Sequence, residues 1–374
     1  MRQTCDLVLS DGSRFEGHLI GAPLEASGEM VFTTGMVGYS EAITDPSYFG
    51  QILCFTYPLI GNYGIPDLPK EQTDQIPKGF ESTKPHVAGV IVTVDSAEAF
   101  HWNSFHSLDA WLKQHNVPGI VGVDTRHLVH KIRSSENLLG RFEPSDKTGV
   151  REVSGCLMTG NSDTPFFDPG IYPVIDYVST PTRRIVGKGK TRVGLVDCGV
   201  KWNIVRQLLD FECEVELLPW QTDLSSVDCD FWLLSNGPGD PTKAEGLIAQ
   251  VRQLLKEERP ILGVCMGHQI LSLAAGAATR RMAYGHRSHN QPVYEVGTRK
   301  GYMTSQNHGY VVIEESLTGP WLPWFRNVND ESLEGIRHES KPFRSVQFHP
   351  EASGGPQDTA WIFKQSLAEV LSCR

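Results

Sequence analysis

An α/β fold is predicted for the second half of the chain: an open, mostly parallel sheet with helices on both faces and a nucleophile elbow. A smaller, mixed, β-rich N-terminal domain is predicted ahead of it. Three observations carry this reading. After residue 190, short apolar runs alternate with stretches whose apolar residues recur at helical spacing, and strands alternating with helices imply parallel crossovers. Within that alternation a single cysteine stands between nearby glycines, Gly263-Val264-Cys265-Met266-Gly267. In the first third, short β-rich runs follow one another, separated by turn residues.

The elements follow in order. Leu7-Val8-Leu9, Asp11-Gly12 and residues 15–20 read as strand, turn and strand, because Asp-Gly tolerates left-handed turn geometry. Residues 29–33, 51–57 and 87–94 read as further strands, with 64–84, rich in Pro, Gly and charge, as a long surface loop. Leu108, Trp111 and Leu112 mark a short amphipathic helix, 117–123 a strand and 126–133 a helix. From about 140 to 190 no periodicity stands out, so the expected organisation is a domain over 1–150, irregular linking chain over 151–190 and a second domain over 191–374. There, 192–197, 215–218, 231–234, 260–264 and 344–348 read as strands. The faces marked by Ile204, Leu208 and Phe211, by Leu247, Val251, Leu254 and Leu255, and by 269–275 read as helices.

Composition narrows the function. With 34 Lys+Arg against 44 Asp+Glu the net charge is −10, which speaks against a nucleic-acid or anionic-membrane surface. No run approaches the roughly 18 apolar residues of a membrane span, and no export signal opens the sequence, so a cytoplasmic location is expected. The cysteines at 5, 54, 156, 198, 213, 229, 265 and 373 form no C-x-x-C pair. Most are expected to be reduced, buried and inert.

Cys265 is the exception. A tight strand–helix turn thrusts its side chain outward and needs small neighbours, which Gly263 and Gly267 supply. The following helix N-terminus favours a thiolate, and the Met266 amide is placed to meet a developing oxyanion. A thiol nucleophile needs a base and an orienting acid. Phe348-His349-Pro350-Glu351 offers both, carried by a strand to the carboxyl edge of the sheet. Ser235-Asn236-Gly237-Pro238-Gly239-Asp240 is a rigid loop whose amides can converge on a carbonyl oxygen. His286 and His289 suggest a metal pair, but no third ligand stands at suitable spacing, so no metal site is expected.

Taken together, Cys265 in GVCMGHQ, NGPGD at 236–240, QNHGY at 306–310 and FHPEA at 348–352 resemble the class I, triad-type glutamine amidotransferases over about 190–374. The N-terminal segments GMVGYSE at 35–41, TDPSY at 44–48, TYPLIGN at 56–62 and DTR at 124–126 are similar to the small subunit of carbamoyl-phosphate synthetases. The resemblance implies Cys265 as nucleophile, His349 as base and acid, and Glu351 as its orienting partner. It implies glutamine contacts from Ser47 of the first domain and from Gly237, Gly239, Met266, Gln269, Asn307, Gly309 and Tyr310. Met266 and Tyr310 stand where Leu and Phe are common.

The implied activity is hydrolysis of L-glutamine through a γ-glutamyl thioester, with ammonia passed to a large synthetase subunit that makes carbamoyl phosphate. No cofactor is expected in this chain, which lacks a G-x-x-x-x-G-K-[ST] loop. ATP and a divalent cation are expected on the large subunit. Two rivals remain: a free-standing γ-glutamyl hydrolase, which needs no N-terminal domain, and a non-catalytic scaffold, which needs no nucleophile.

Overall fold

The computed structural model describes residues 2–67, 76–96, 98–161 and 165–372. It contains two compact units, one running to Tyr177 and the other starting at Val178.

In the first unit the strands are β1 (Thr4–Leu9), β2 (Arg14–Gly21), β3 (Ala26–Thr33), β4 (Gln51–Phe55), β5 (Gly89–Val92), β6 (Pro118–Val121) and β7 (Leu139–Pro144). They close into a barrel in the order β1-β2-β6-β5-β4-β3-β7, with β7 pairing back onto β1. Closure removes both sheet edges, and Leu7, Leu53, Val90, Ile120 and Phe142 are all buried, on one face of the barrel wall or the other. Helices α1 (Tyr39–Thr44), α2 (Leu108–Gln114) and α3 (Thr125–Arg133) accompany the barrel. Ser107 and Asp124 cap α2 and α3 by accepting from the Ala110 and His127 amides.

Three expectations need correction here. Residues 139–144 are a barrel strand; Gly140 and Pro144 occupy buried alternate positions beside Phe142 and erase the apolar signature. Part of the expected surface loop, 68–75, lies outside the described residues, and in its remainder Phe80 and Glu81 are fully buried. The stretch expected as linking chain carries the short pair β8 (Glu152–Val153) and β9 (Cys156–Leu157). It is also stitched to the barrel: the Phe167 amide donates to Ser27 Oγ at 2.9 Å, and Tyr177 stacks on Phe49.

The second unit is built on one ten-stranded sheet, ordered β10-β12-β11-β13-β14-β19-β18-β16-β15-β17. Its centre is parallel: β12 (Cys213–Pro219), β11 (Thr191–Asp197), β13 (Phe231–Leu234), β14 (Ile261–Val264) and β19 (Phe343–Val346). An antiparallel edge strand, β10 (Arg184–Val186), lies beside β12. On the other side stands an antiparallel extension of β15 (Ala278–Glu295), β16 (Gly301–Ile313), β17 (Trp321–Asn327) and β18 (Leu333–His338).

Helices cover both faces of the parallel centre. From α4 (Trp202–Asp210) and α7 (Trp361–Ser372), Ile204, Val205, Leu208, Ile362 and Phe363 join Val193, Leu195, Leu233 and Phe348 in one apolar core. On the other side α5 (Glu245–Glu257) packs on α6 (Met266–Ala274), which rests on β13 and β14. No helix among the described residues is long and apolar enough to cross a membrane.

Candidate functional site

Because β11, β13, β14 and β19 are parallel, their carboxyl ends meet at one edge, where open α/β sheets present side chains to ligands. Asp197, Ser235, Cys265 and Gln347 all stand at or just past those ends.

Cys265 forms the junction between β14 and α6, with φ 53° and ψ −103°. A non-glycine residue held there costs about 1–3 kcal/mol, so the surrounding structure must impose it. Backbone bonds pin the turn: the Cys265 amide donates to Val346 O at 2.9 Å and the Gly267 amide to Ser235 O at 3.0 Å. Close approach explains the glycines. A Cβ on Gly263 would lie 2.5 Å from Gly267 O, and one on Gly267 would lie 2.1 Å from Leu234 O. The thiol donates to the Asn307 carbonyl at 3.7 Å. The Met266 amide opens α6, in the first turn where amides have no intrahelical acceptor.

His349 is held by its backbone and by one ring nitrogen. Its amide donates to Ser305 O on β16 at 2.9 Å, and Nδ1 meets Glu351 Oε1 at 2.6 Å. Nε2 is buried without a hydrogen bond to the described residues. Glu351 Oε1 also pairs with Lys201 Nζ at 2.9 Å, the lysine side chain being 8% exposed and the carboxylate fully buried. The Glu351 carbonyl accepts from Asn203 and Gln207 of α4, so this helix clamps the segment that carries the acid.

The electrostatics follow from this packing. Burial opposes an imidazolium at His349, but the Glu351 carboxylate favours it; Lys201 works against the charge and Cys265 adds to it, leaving the pKa raised to about 10. Burial alone would raise the Glu351 pKa, but Lys201 and His349 outweigh it and bring the carboxyl to about 2. The arrangement is a buried chain of charge, ammonium to carboxylate to imidazolium, next to a sulfur nucleophile. Burial pushes the other described thiols up, Cys5 and Cys54 to about 12 and Cys213 and Cys229 to about 11.

The loop after β13 is equally fixed. Asn236 Oδ1 accepts from the Lys201 amide at 3.0 Å and its Nδ2 donates to Gly199 O at 2.9 Å. Ser235 Oγ accepts from the Cys198 amide at 2.9 Å. Gly237 lies so close to Cys198 that a Cβ would sit 2.0 Å from its carbonyl oxygen, and Gly239 has φ +89°. Gln269, on α6, donates to Tyr310 O and to Gln347 Oε1, each at 3.0 Å. Asn307 and Gly309 precede Tyr310 on β16, and Asn307 Nδ2 is a buried donor with no partner among the described residues.

The second unit therefore brings Cys265, His349, Glu351, Met266, Gln269, Asn307, Gly309, Tyr310 and the Gly237–Gly239 loop to one edge of its sheet. Ser47 lies in the first unit, in a short turn at 46–48 where its amide donates to Asp45 Oδ1 at 2.8 Å. Sequence reasoning missed Lys201, Asn203 and Gln207. The available signal was positional: Lys201 opens the helix after β11, whose carboxyl end belongs to the same edge.

Comparison with known proteins agrees with this geometry. The family model for class-I glutamine amidotransferases matches residues 194–368, and that for the CPSase domain of the carbamoyl-phosphate synthase small chain matches residues 7–142. The arginine-specific small chain of carbamoyl phosphate synthase from Saccharomyces cerevisiae is 42% identical over 97% of this chain and 87% of its own length. The chain belongs to the carbamoyl-phosphate synthase small-chain family. The multifunctional protein CAD of Squalus acanthias is 45% identical over 96% of this chain, which spans 16% of that protein. The mitochondrial carbamoyl-phosphate synthase [ammonia] of Rattus norvegicus is 43% identical over 96% of this chain, which spans 23% of it. The family's small chains thus occur both alone and as one part of much longer proteins.

Proposed function

We propose that the chain is the glutaminase subunit of a glutamine-dependent carbamoyl-phosphate synthetase. Similarity by itself leaves the nitrogen donor open, since one relative is named for ammonia. The observation that carries the proposal is Cys265 at the elbow with His349, Glu351 and Lys201 in one buried chain. A scaffold has no use for such an arrangement, and a free-standing hydrolase has none for the small-chain domain.

The steps follow from the geometry. Once the Cys265 thiol has passed its proton to His349 Nε2, the thiolate attacks the side-chain amide carbon of glutamine, forming the C–S bond while the oxygen takes negative charge beside the Met266 amide. His349, as imidazolium, gives its proton to the leaving nitrogen as the C–N bond breaks, releasing ammonia. Now neutral, the ring takes a proton from water as that water attacks the thioester. The C–S bond breaks, glutamate leaves and the thiolate returns. Glu351 holds the Nδ1–H side of the ring throughout, and Lys201 keeps Glu351 ionised.

Gly237, Gly239, Gln269, Asn307, Gly309 and Tyr310 are assigned to binding glutamine, with Ser47 contributing from the first unit. ATP and a divalent cation are assigned to a large synthetase subunit that receives the ammonia, and the complex to the cytoplasm. The test is an acid quench of the purified chain during turnover of radiolabelled glutamine. Label held as a thioester on the Cys265 peptide is the expected result; glutamine turnover with label on no cysteine would overturn the proposal. Ser47→Ala should raise KM for glutamine several-fold, as loss of a hydrogen bond worth about 0.5–1.5 kcal/mol requires.

A further inference from the structure

Beside the glutamine site, the antiparallel extension buries a second set of titratable side chains that the reaction above does not use. His286 on β15 and His308 on β16 are paired directly across the ladder, with ring centroids 4.9 Å apart. Glu334, on β18, is fully buried, and with the two imidazoles it brings one donor-capable or acceptor atom each within 4.8 Å of the others. His289, the partner expected from sequence spacing, is not in this cluster.

The hydrogen-bond directions restrict what holds it together. His286 Nε2 lies 2.9 Å from Asp330 Oδ2, and Nδ1 lies 2.9 Å from Gln306 Oε1 and 3.2 Å from Glu334 Oε1. Each ring nitrogen thus faces an oxygen that can only accept, and a neutral imidazole has only one N–H to offer. His308 donates Nδ1–H to the Tyr310 carbonyl at 2.9 Å, which leaves its Nε2 without a proton 3.1 Å from Gln306 Oε1, a contact between two acceptors. That same Tyr310 carbonyl accepts from Gln269 at 3.0 Å, and the Asn307 carbonyl, between Gln306 and His308, accepts from the Cys265 thiol.

We propose that His286, a buried imidazolium clamped between Asp330 and Glu334, is a positioning residue for glutamine. Through its hydrogen bond to Gln306 and its ring contact with His308 it fixes the strand segment whose Asn307 and Tyr310 carbonyls meet Cys265 and Gln269. This rests on the glutaminase reading of the site. Removing one charge of a buried, hydrogen-bonded ion pair strands its partner. Burial works against a charged His286, yet Asp330 and Glu334 outweigh it and raise its pKa to about 10. Asp330 is in turn held well below the usual carboxylate range by His286. The titratable groups facing the ring are His308 from β16, Glu334 from β18 and Asp330 from the turn before β18; Asn327, at the end of β17, is neutral.

The experiment has two arms on the complex with its large subunit. In the first, nitrogen-15 imidazole spectra at pH 8 should show His286 protonated on both nitrogens, and His286→Gln identifies the signal. In the second, His286→Gln should raise KM for glutamine at least tenfold, with kcat within about threefold and ammonia-dependent synthesis unchanged. Adding Glu334→Gln to that variant removes the stranded carboxylate and supplies a folded variant should the single change unfold the unit; its KM should stay raised. A neutral His286 at pH 8, a stoichiometric divalent metal found in the purified subunit in place of the proton, an unchanged KM, or equal loss of both synthetic rates overturns the proposal. Failure of the glutaminase reading shows elsewhere, as glutamine turnover that survives Cys265→Ser, while the first arm still reports on His286.

Discussion

Lys201→Met tests whether the charge chain behind His349 is held together as the packing requires. The Nζ lies 2.9 Å from Glu351 Oε1, and both side chains are almost wholly buried. At an effective dielectric constant of 20, two unit charges at that distance attract by about 6 kcal/mol. Desolvation of both groups offsets most of that, and breaking a buried pair usually costs about 3–5 kcal/mol because a charge is left unpaired. Glu351 keeps its 2.6 Å bond to His349 in the variant, so the lower half of that range, about 3 kcal/mol, is expected. The assay is denaturant unfolding at pH 7 for wild type, Lys201→Met, Glu351→Gln and the double variant. A coupling of at least about 1 kcal/mol between the two sites is expected, as for residues in direct contact. A cost of Lys201→Met below about 0.5 kcal/mol, the size of an exposed ion pair, would refute the reasoning.

Two further outcomes follow from the same geometry. Iodoacetamide should modify Cys265 well before Cys5, Cys54, Cys213 and Cys229, whose thiols burial raises to about 11–12; peptide mapping after partial reaction checks this, and first modification elsewhere counts against the elbow. The His349–Glu351 pair should make stability pH-dependent in two windows. The raised imidazole pKa contributes stability that is complete below the ordinary 6.5 and lost as pH rises through about 10. The lowered Glu351 pKa contributes stability present above the ordinary 4.5 and lost as pH falls through about 2. Melting temperatures of wild type and His349→Asn should therefore converge above pH 10.

What was legible in the sequence was local. The elbow could be read because Gly263 and Gly267 flank Cys265 within five residues, although only Gly263 is required by a backbone contact of the turn itself, Gly267 being required by the Leu234 carbonyl of β13. His349 and Glu351 could be paired because only Pro350 stands between a ring and a carboxylate that turns back to it. Lys201 could not be read, since nothing near it in sequence shows that β11 and β19 end at one edge. The long strands β15 and β16 escaped for another reason: polar residues, His286, Ser288, Thr304, Gln306 and His308, occupy their buried positions, so apolar alternation never appears. Likewise the first unit extends to Tyr177 through contacts such as Phe167 to Ser27 that span more than a hundred residues.

The most direct test of the account separates the two nitrogen donors. Cys265→Ser keeps the shape of the side chain but replaces the thiol with a hydroxyl that hardly ionises, so the thioester route should fall by orders of magnitude. On the reconstituted complex with the large subunit, carbamoyl phosphate formation is measured once with glutamine and once with ammonia as donor. The account predicts that the glutamine-dependent rate is lost and the ammonia-dependent rate is kept. A glutamine-dependent rate near wild type would contradict the thioester at Cys265, and equal loss of both rates would contradict the division of labour between the subunits.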